Sequence, residues 1–439
     1  MKKTTDLRFQ NPQDFIKILT SNNISKFYFV YDVKQKKLLA SHSILQPIAD
    51  YFSEDKRDFI EHEGMFFQVS KKYEMLLGAF IHRTNRGQAA GGVRFWKYDN
   101  IENYFRDGLR LAAGMTFKNA LAGLWWGGGK GVIAHNPDFE WSNPDVRHHI
   151  YKEYGLFISS LKGCYVTAED LGTDVEDMVD IFSGTRFTTC IPPELGGSGV
   201  PAIPTARGVV CGIEAAIGFL KLGSLHGKTV AVQGLGHVGI PLVGYLFEKG
   251  VSEIIACDVN PDNVKEAMGK YKDRNIECRL VEIDDTSIFS EDCDIFSPNA
   301  TGAILNPDTI GKISAKIICG AANNQLEDPE RDGILLTKKG ITYIPDFLTN
   351  RMGIVNCANE QYGYVNNDTI IEQHFSKDWE YSIYNTAIKV LEESNSLNKP
   401  TAEIALKIAD EFSKVNHPIF GHRGKAIIKS LCENKWHLK

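Results

Sequence analysis

One stretch limits the folds open to this chain more than any other. The apolar run Thr229–Gln233 (TVAVQ) leads directly into Gly234-Leu235-Gly236-His237-Val238-Gly239, and a helix-like run (IPLVGYLFEKG) follows. A G-x-G-x-x-G pattern alone is a weak signal; a strand before it and a helix after it are the context in which its glycines have a purpose. They permit a tight turn and let a ligand approach the backbone, and the helix start then offers N–H groups to a pyrophosphate. The next strand-like piece, SEIIACD, ends in Asp258, 19 residues after Gly239. A carboxylate there can accept hydrogen bonds from an adenosine ribose. Gly234, Gly236, His237, Val238, Gly239 and Asp258 are therefore the candidate dinucleotide-binding residues. A carboxylate at 258 repels a 2′-phosphate, and Val259, Asn260 and Pro261 supply no arginine to receive one, so the expected cofactor is NAD rather than NADP.

The pieces after this motif alternate strand (253–257, 294–296, 316–319, 342–344) with helix, the pattern of a parallel α/β sheet. At 439 residues the chain exceeds one usual domain, and the proline- and glycine-rich run Pro192–Pro204 (PPELGGSGVPAIP) reads as a hinge. The expected fold class is α/β, as two domains with a cleft between them. Residues 205–354 form a Rossmann domain, and residues 1–204 with 355–439 form a substrate and assembly domain. The strand-like Lys26–Tyr31 is the one feature of the first 65 residues; Phe66–Val69 and Met75–Ile81 read as further strands.

Composition narrows the partners. A balance of 49 basic against 55 acidic residues, net -6, argues against nucleic acid. The most apolar run, Gly208–Leu220, holds Glu214 and is too short to cross a bilayer, so no membrane association is expected. The start MKKTTDLRFQ has no apolar run behind it, unlike a signal peptide. Nine cysteines are scattered without a C-x-x-C pair, so neither a metal site nor a disulfide framework is expected, and a cytoplasmic setting fits.

In the first half three polar residues stand out. Residues 101–114 have helical spacing and end at Gly114, which puts Lys118 (MTFKNA) just beyond a helix. Lys130 sits among Gly127, Gly128, Gly129 and Gly131, glycines that allow unusual dihedrals and close approach by a ligand, with a strand beginning after the lysine. Asp170 lies in YVTAEDLGTD. A desolvated lysine is usable as a general base near neutral pH, a second lysine can hold a substrate anion, and an aspartate can pass a proton. For each residue a solvated surface charge is the plain alternative.

These residues carry a resemblance. The segments GGVRFW (91–96), GMTFKNALAGL (114–124), GGGKGVI (127–133), YVTAEDLGT (165–173), GVPAIPTARGV (199–209), AVQGLGHVG (231–239), CDIFSPNATGAILN (293–306), GAANNQL (320–326) and PDFLTN (345–350) together resemble the glutamate/leucine/phenylalanine/valine dehydrogenase family, nearer its leucine and phenylalanine branch. The resemblance implies reversible, NAD(P)-dependent oxidative deamination of an L-amino acid to a 2-oxo acid and ammonium, in a homo-oligomer. It gives Lys118 the substrate carboxylate, Lys130 the activation of water, and Asp170 proton exchange with the amine. Gly91 and Gly92 become backbone close to the substrate, Thr205 and Asn323 nicotinamide-side contacts, and Asn350 a residue reaching substrate or cofactor.

The substrate side chain is read by the same matching. Glutamate enzymes carry a lysine just before the GG pair; here that position is Ala90. With Ala168, Ile354 and Cys357 it implies an apolar pocket for a bulky aliphatic or aromatic side chain, unless Trp125 or Trp126 fills the space above Ala90. The family's usual Asn-Ala-Gly-Gly is here Asn350-Arg351-Met352-Gly353. Arg351 is expected to face solvent or a domain contact, or else to recognise a further anion. The second role keeps a glutamate-type dehydrogenase as an alternative, beside a non-catalytic nucleotide-binding protein. The N-terminus also exceeds the leucine-type pattern.

Overall fold

In the computed structural model, which describes residues 6–199, 201–363, 365 and 367–439, the first half of the chain is organised on a mixed sheet. Its strands are β1 (Lys26–Asp32), β2 (Lys37–Ala40), β3 (Gly64–Ser70), β4 (Met75–Arg83), β5 (Ala89–Ala90), β6 (Val93–Trp96), β7 (Gly127–Ala134) and β8 (Tyr165–Val166). They lie in the order β2-β1-β3-β4-β7-β5-β8, with β6 also on β7. The neighbours from β2 to β7 are antiparallel, and β5, β6 and β8 join in parallel. Helices α1 (Pro12–Ser21), α2 (Gln46–Glu54), α3 (Ile101–Leu121), α4 (Pro144–Ser160) and α5 (Val175–Gly184) complete this part. The N-terminal segment extends the sheet by two strands, one of them the expected Lys26–Tyr31, and supplies Phe15, Phe27, Phe29 and Phe52 to an aromatic core with Phe67, Phe80 and Phe105.

Two expectations about this unit change. Helix α3 does not stop at Gly114; it runs on to Leu121 and carries Lys118 in its last turn. A glycine costs a helix about 1 kcal/mol, and α3 packs along β7 and β4, which outweighs that. The strand expected after Lys130 begins before it, and the glycines take no unusual dihedrals: Gly127–Ala134 is one fully buried strand, and none of its glycines has positive φ. They are small because neighbours press on both faces. A Cβ on Gly128 would lie 2.0 Å from Thr116 Oγ1, and one on Gly131 2.2 Å from the Tyr154 hydroxyl.

The second unit begins at Pro201. Its elements are α6 (Ala202–Phe219), β9 (Thr229–Gln233), α7 (Gly239–Glu248), β10 (Glu253–Asp258), α8 (Pro261–Lys270), β11 (Ile276–Leu280), β12 (Ile295–Pro298), α9 (Pro307–Lys312), β13 (Ile317–Ile318), α10 (Pro329–Lys339), β14 (Thr342–Tyr343) and α11 (Asp346–Thr349). The sheet order is β11-β10-β9-β12-β13-β14, every pair parallel. This is the doubly wound order of a Rossmann domain, whose direction reverses between β9 and β12, where such sheets bind ligands. Helix α6 is apolar because most of it is buried in this unit.

The C-terminal part divides differently from the expected boundaries 205–354 and 355–439. Helix α12 (Met352–Glu360) passes from one unit to the other at Asn356/Cys357. Helices α13 (Thr369–Gln373), α14 (Ile383–Leu397) and most of α15 (Thr401–Ser413) belong to the Rossmann unit, and Asp410–Lys439, with α16 (Arg423–Glu433), returns to the first, which also holds the chain from Cys357 to Val365. The reason is packing: α14 lies along α6, and Thr401 donates to the Tyr343 carbonyl at 2.7 Å.

Candidate active site

In the first unit the candidate residues meet around β7. Parallel pairing sets Val93 of β6 beside Gly131, and Val93 also bridges to Glu169, which brings the 170–174 turn over the strand. The turn is closed by Thr173, whose hydroxyl accepts from Asp170 N and donates to Asp170 O. Lys130 Nζ then lies 2.8 Å from Asp170 Oδ1, with the lysine side chain 4% exposed and the aspartate 26%. Burial drives the Lys130 ammonium below the usual lysine range, against the pull of Asp170. Burial pushes the Asp170 carboxyl up, but Lys130 and Arg94 together hold it below the usual range. The result is a desolvated amine next to a carboxylate that stays ionised.

Arg94 is a member of this group that spacing did not single out, although it stands in GGVRFW. Its Nε lies 3.2 Å from Asp170 Oδ2, and its Nη1 lies 2.9 and 3.1 Å from the two oxygens of Asp107. The available signal was a charged residue inside an otherwise apolar strand.

The glycine pair before Arg94 has a packing reason. A Cβ on Gly91 would meet the Gly129 carbonyl at 2.0 Å, and one on Gly92 the Glu169 carbonyl at 2.3 Å and Asp170 Cβ at 2.8 Å. Ala90 pairs with Val166, and Ala168 follows on the same strand end, its carbonyl accepting from Val93 N at 2.8 Å. Both alanines are buried. Lys118 is half-buried on α3, next to Asn119, whose amide donates to the Gly127 carbonyl at 2.6 Å. Thr188 bridges Thr167 in parallel, and two residues on Cys190 Sγ touches Cys357 Sγ at 3.1 Å. Glu360, one helical turn past Cys357, accepts from the N–H groups of Cys190, Ile191 and Ser198. The expected hinge run is thus tied at its start to α12. Trp125 packs on the Arg86 guanidinium at 4.2 Å and against His417 in a tilted pair, while Trp126 is buried.

The remaining candidates lie in the Rossmann unit. Gly234 has φ +94, in the left-handed region that favours glycine, and a Cβ on Gly239 would strike the Gly234 carbonyl at 2.0 Å. A Cβ on Gly236 would meet nothing within 4 Å, so this glycine faces open space. No side chain caps the start of α7 at Val238, and His237 is exposed. Asp258 Oδ2 accepts from Leu235 N at 2.6 Å, so the carboxylate is fixed to the glycine turn. It is not the cap of α8; Asn260 is. This cradle fits a dinucleotide: an open backbone for the pyrophosphate and a held carboxylate beside it. At the far side of the switch point, Asn350 Nδ2 donates to Asn323 Oδ1 at 2.8 Å, and the buried Asn350 Oδ1 has no hydrogen-bond partner among the described residues. Thr205 lies buried in the first turns of α6, its hydroxyl donating to the Pro201 carbonyl at 2.7 Å. Ile354 is buried in this unit.

Arg351 corrects the expectation that it faces solvent or a domain contact, or else recognises an anion. It is fully buried in the Rossmann unit with Met352. Its guanidinium bonds the Tyr381 carbonyl and lies 3.5 Å from Thr386 Oγ1 and 3.4 Å from His374 Nδ1. Thr386 lies on α14, His374 caps the end of α13 and Tyr381 lies between the two helices, a stretch expected in the other domain. The glutamate-type alternative loses the residue it rested on.

Comparison with known proteins agrees with this arrangement. The family model "Glu/Leu/Phe/Val dehydrogenase, dimerisation domain" matches residues 68–187, and "Glutamate/Leucine/Phenylalanine/Valine dehydrogenase" matches residues 196–417. The chain belongs to this family. It is an amino acid dehydrogenase. It is 43% identical to the leucine dehydrogenase of Bacillus subtilis over 305 residues, 69% of this chain and 80% of that one. It is 38% identical to the phenylalanine dehydrogenase of Lysinibacillus sphaericus over 284 residues, 64% of this chain and 72% of that one. The crystal structure of L-tryptophan dehydrogenase from Nostoc punctiforme superposes with a TM-score of 0.68 at 34% identity, covering 80% of this chain and 95% of that one. Residues 1–67 lie before the family match.

Proposed function

We propose that this chain is an NAD-dependent dehydrogenase of a hydrophobic L-amino acid, converting it reversibly to the 2-oxo acid and ammonium. The observation that carries the chemistry is the buried Lys130 amine held 2.8 Å from Asp170. A bound nicotinamide dinucleotide supplies the hydride acceptor for the substrate α-carbon. Asp170, ionised, takes a proton from the substrate ammonium, which leaves an amine able to become an iminium. Lys130, whose ammonium burial makes easier to deprotonate, takes at Nζ, once it has lost its proton, the proton of the water that adds to the iminium carbon. Return of protons to the departing nitrogen gives ammonium and the ketone. Lys118 holds the substrate carboxylate as a fixed cation. In balance, amino acid, NAD⁺ and water give 2-oxo acid, ammonium, NADH and a proton.

The substrate class rests on the small apolar residues Ala90, Ala168 and Cys357, all buried, with no lysine before Gly91. The leucine, phenylalanine and tryptophan dehydrogenases among the relatives support the same class. The preference for NAD is supported by the Asp258 carboxylate, which ends β10 and is tied to the glycine turn and would repel a 2′-phosphate, and by the lack of an arginine directly after it. The family description of residues 68–187 as a dimerisation domain supports a homo-oligomer. Nine thiols without a disulfide suit the reducing cytoplasm.

The test is NADH formation from a panel of L-amino acids, run in parallel with NAD and NADP. The reading expects turnover on leucine-, phenylalanine- or tryptophan-like substrates, much faster with NAD. Preferred turnover of glutamate, or of NADP, would contradict it.

A further inference from the structure

Two charged residues beside the candidate catalytic pair have no part in the mechanism above. Asp170 presents one oxygen to Lys130 and the other to Arg94. Arg94 is itself clamped by both oxygens of Asp107. Asp107 in turn accepts from the Tyr98 hydroxyl at 2.7 Å and from Arg110, one turn along α3, at 2.8 Å. Four charges of alternating sign run Lys130, Asp170, Arg94, Asp107. The two inner members sit mostly out of water, with side chains 26% and 19% exposed.

A buried lysine–aspartate pair alone has an ambiguity. Both groups can lose their charge by sharing one proton, and a neutral lysine beside a protonated aspartate is useless for the two separate proton transfers the reaction needs. A permanent cation on the far oxygen removes that ambiguity, because it favours the carboxylate and disfavours the neighbouring ammonium at once. We propose that Arg94, anchored by Asp107, is the positioning residue that makes Lys130, and not Asp170, the group that gives up its proton. The inference rests on Lys130 acting as the base.

The other titratable groups around Lys130 do not compete. Tyr104 on α3, Tyr154 on α4 and Tyr165 on β8 are buried phenols, which burial pushes up and keeps neutral. His82 on β4 is held neutral by burial.

The two arms of this chain act on Lys130 with opposite sign, and that gives the test. Coulomb's law has Arg94 opposing the Lys130 charge and the more distant Asp107 supporting it. The measurement is kcat/KM against pH for amino acid oxidation in the wild type, Arg94→Gln, Arg94→Lys and Asp107→Asn, with Lys130→Ala as control. The acidic limb, where Lys130 must lose its proton, is expected to move up by about one pH unit in Arg94→Gln and to move down in Asp107→Asn. In Arg94→Lys, which keeps the charge, it stays near its wild-type place. A role confined to folding would lower the rate in the variants without moving the limb in opposite directions. A limb that stays put in both Arg94→Gln and Asp107→Asn, or moves the same way in both, overturns the proposal while leaving Lys130 as the base. Activity that survives Lys130→Ala removes the base itself, a separate failure.

Discussion

Lys130 and Asp258 are the residues on which chemistry and cofactor choice turn. Each is fixed by a backbone feature that can be checked. Asp258 is oriented by two backbone amides, Leu235 N on Oδ2 and Asn260 N on Oδ1, and each oxygen keeps a further acceptor site for a ribose hydroxyl. Asp258→Ser is expected to raise the KM for NAD at least tenfold while narrowing the preference over NADP, read from initial rates with each cofactor; an unchanged ratio would remove the residue from cofactor selection. Most of this site is legible in the sequence, because Lys118, Lys130, Asp170 and the G-x-G-x-x-G run stand in motifs with fixed spacing. Arg94 is in such a motif, yet nothing in its spacing reveals a partner 13 residues on at Asp107. Arg351 is misread for the opposite reason: an arginine among small residues gives no hint that two later helices will enclose it.

Among the elements, α3 and β7 decide how closely the site is built. Their contact explains two glycines with contrary predictions. At Gly128 a methyl group would fall 2.0 Å from Thr116 Oγ1 and 2.1 Å from its backbone nitrogen, neither of which can move without shifting the helix. Gly128→Ala is expected to cost ~3 kcal/mol or more, read as loss of soluble protein or a large fall in Tm. At Gly114 the same methyl group meets nothing within 4 Å on the exposed side of α3. Gly114→Ala is expected to stabilise by about 0.5–1 kcal/mol with kcat unchanged. Destabilisation there would mean that α3 does not continue past residue 114. Sequence reading places this helix correctly but ends it early, because glycine is a statistical stop signal and the packing that carries the helix through it lies on strands distant in the chain. The strand β7 is half-read for the same cause: runs of glycine look like loops until Thr116, Tyr154 and Tyr165 are known to press on them.

At the scale of the whole chain, the Rossmann unit is the part most fully legible, since its strands follow one another with the motif at the first of them. The return path is not, because an amphipathic helix such as α14 shows that it packs but not on what. Stability against acid is also set at this scale, by histidines buried in both units. Burial pushes His62 down to about 4 and His374 to about 2. A group whose folded pKa lies below its unfolded value contributes stability that is present above the unfolded value and lost as pH falls. Denaturant titrations are therefore expected to show stability that changes little through these groups above pH ~6.5 and falls between pH ~6.5 and ~4, with His62 alone contributing about 3 kcal/mol. Stability that is flat across that interval would contradict neutral burial of these rings.

The central claim is that the buried Lys130 amine beside Asp170 performs the proton chemistry of amino acid oxidation. Its most direct test is kcat/KM for Lys130→Ala against the wild type, on the best substrate of the amino acid panel with NAD. The account predicts a loss of about 10²- to 10⁴-fold, with NADH binding and Tm close to the wild type. A loss of less than tenfold in a folded, NADH-binding variant would contradict it.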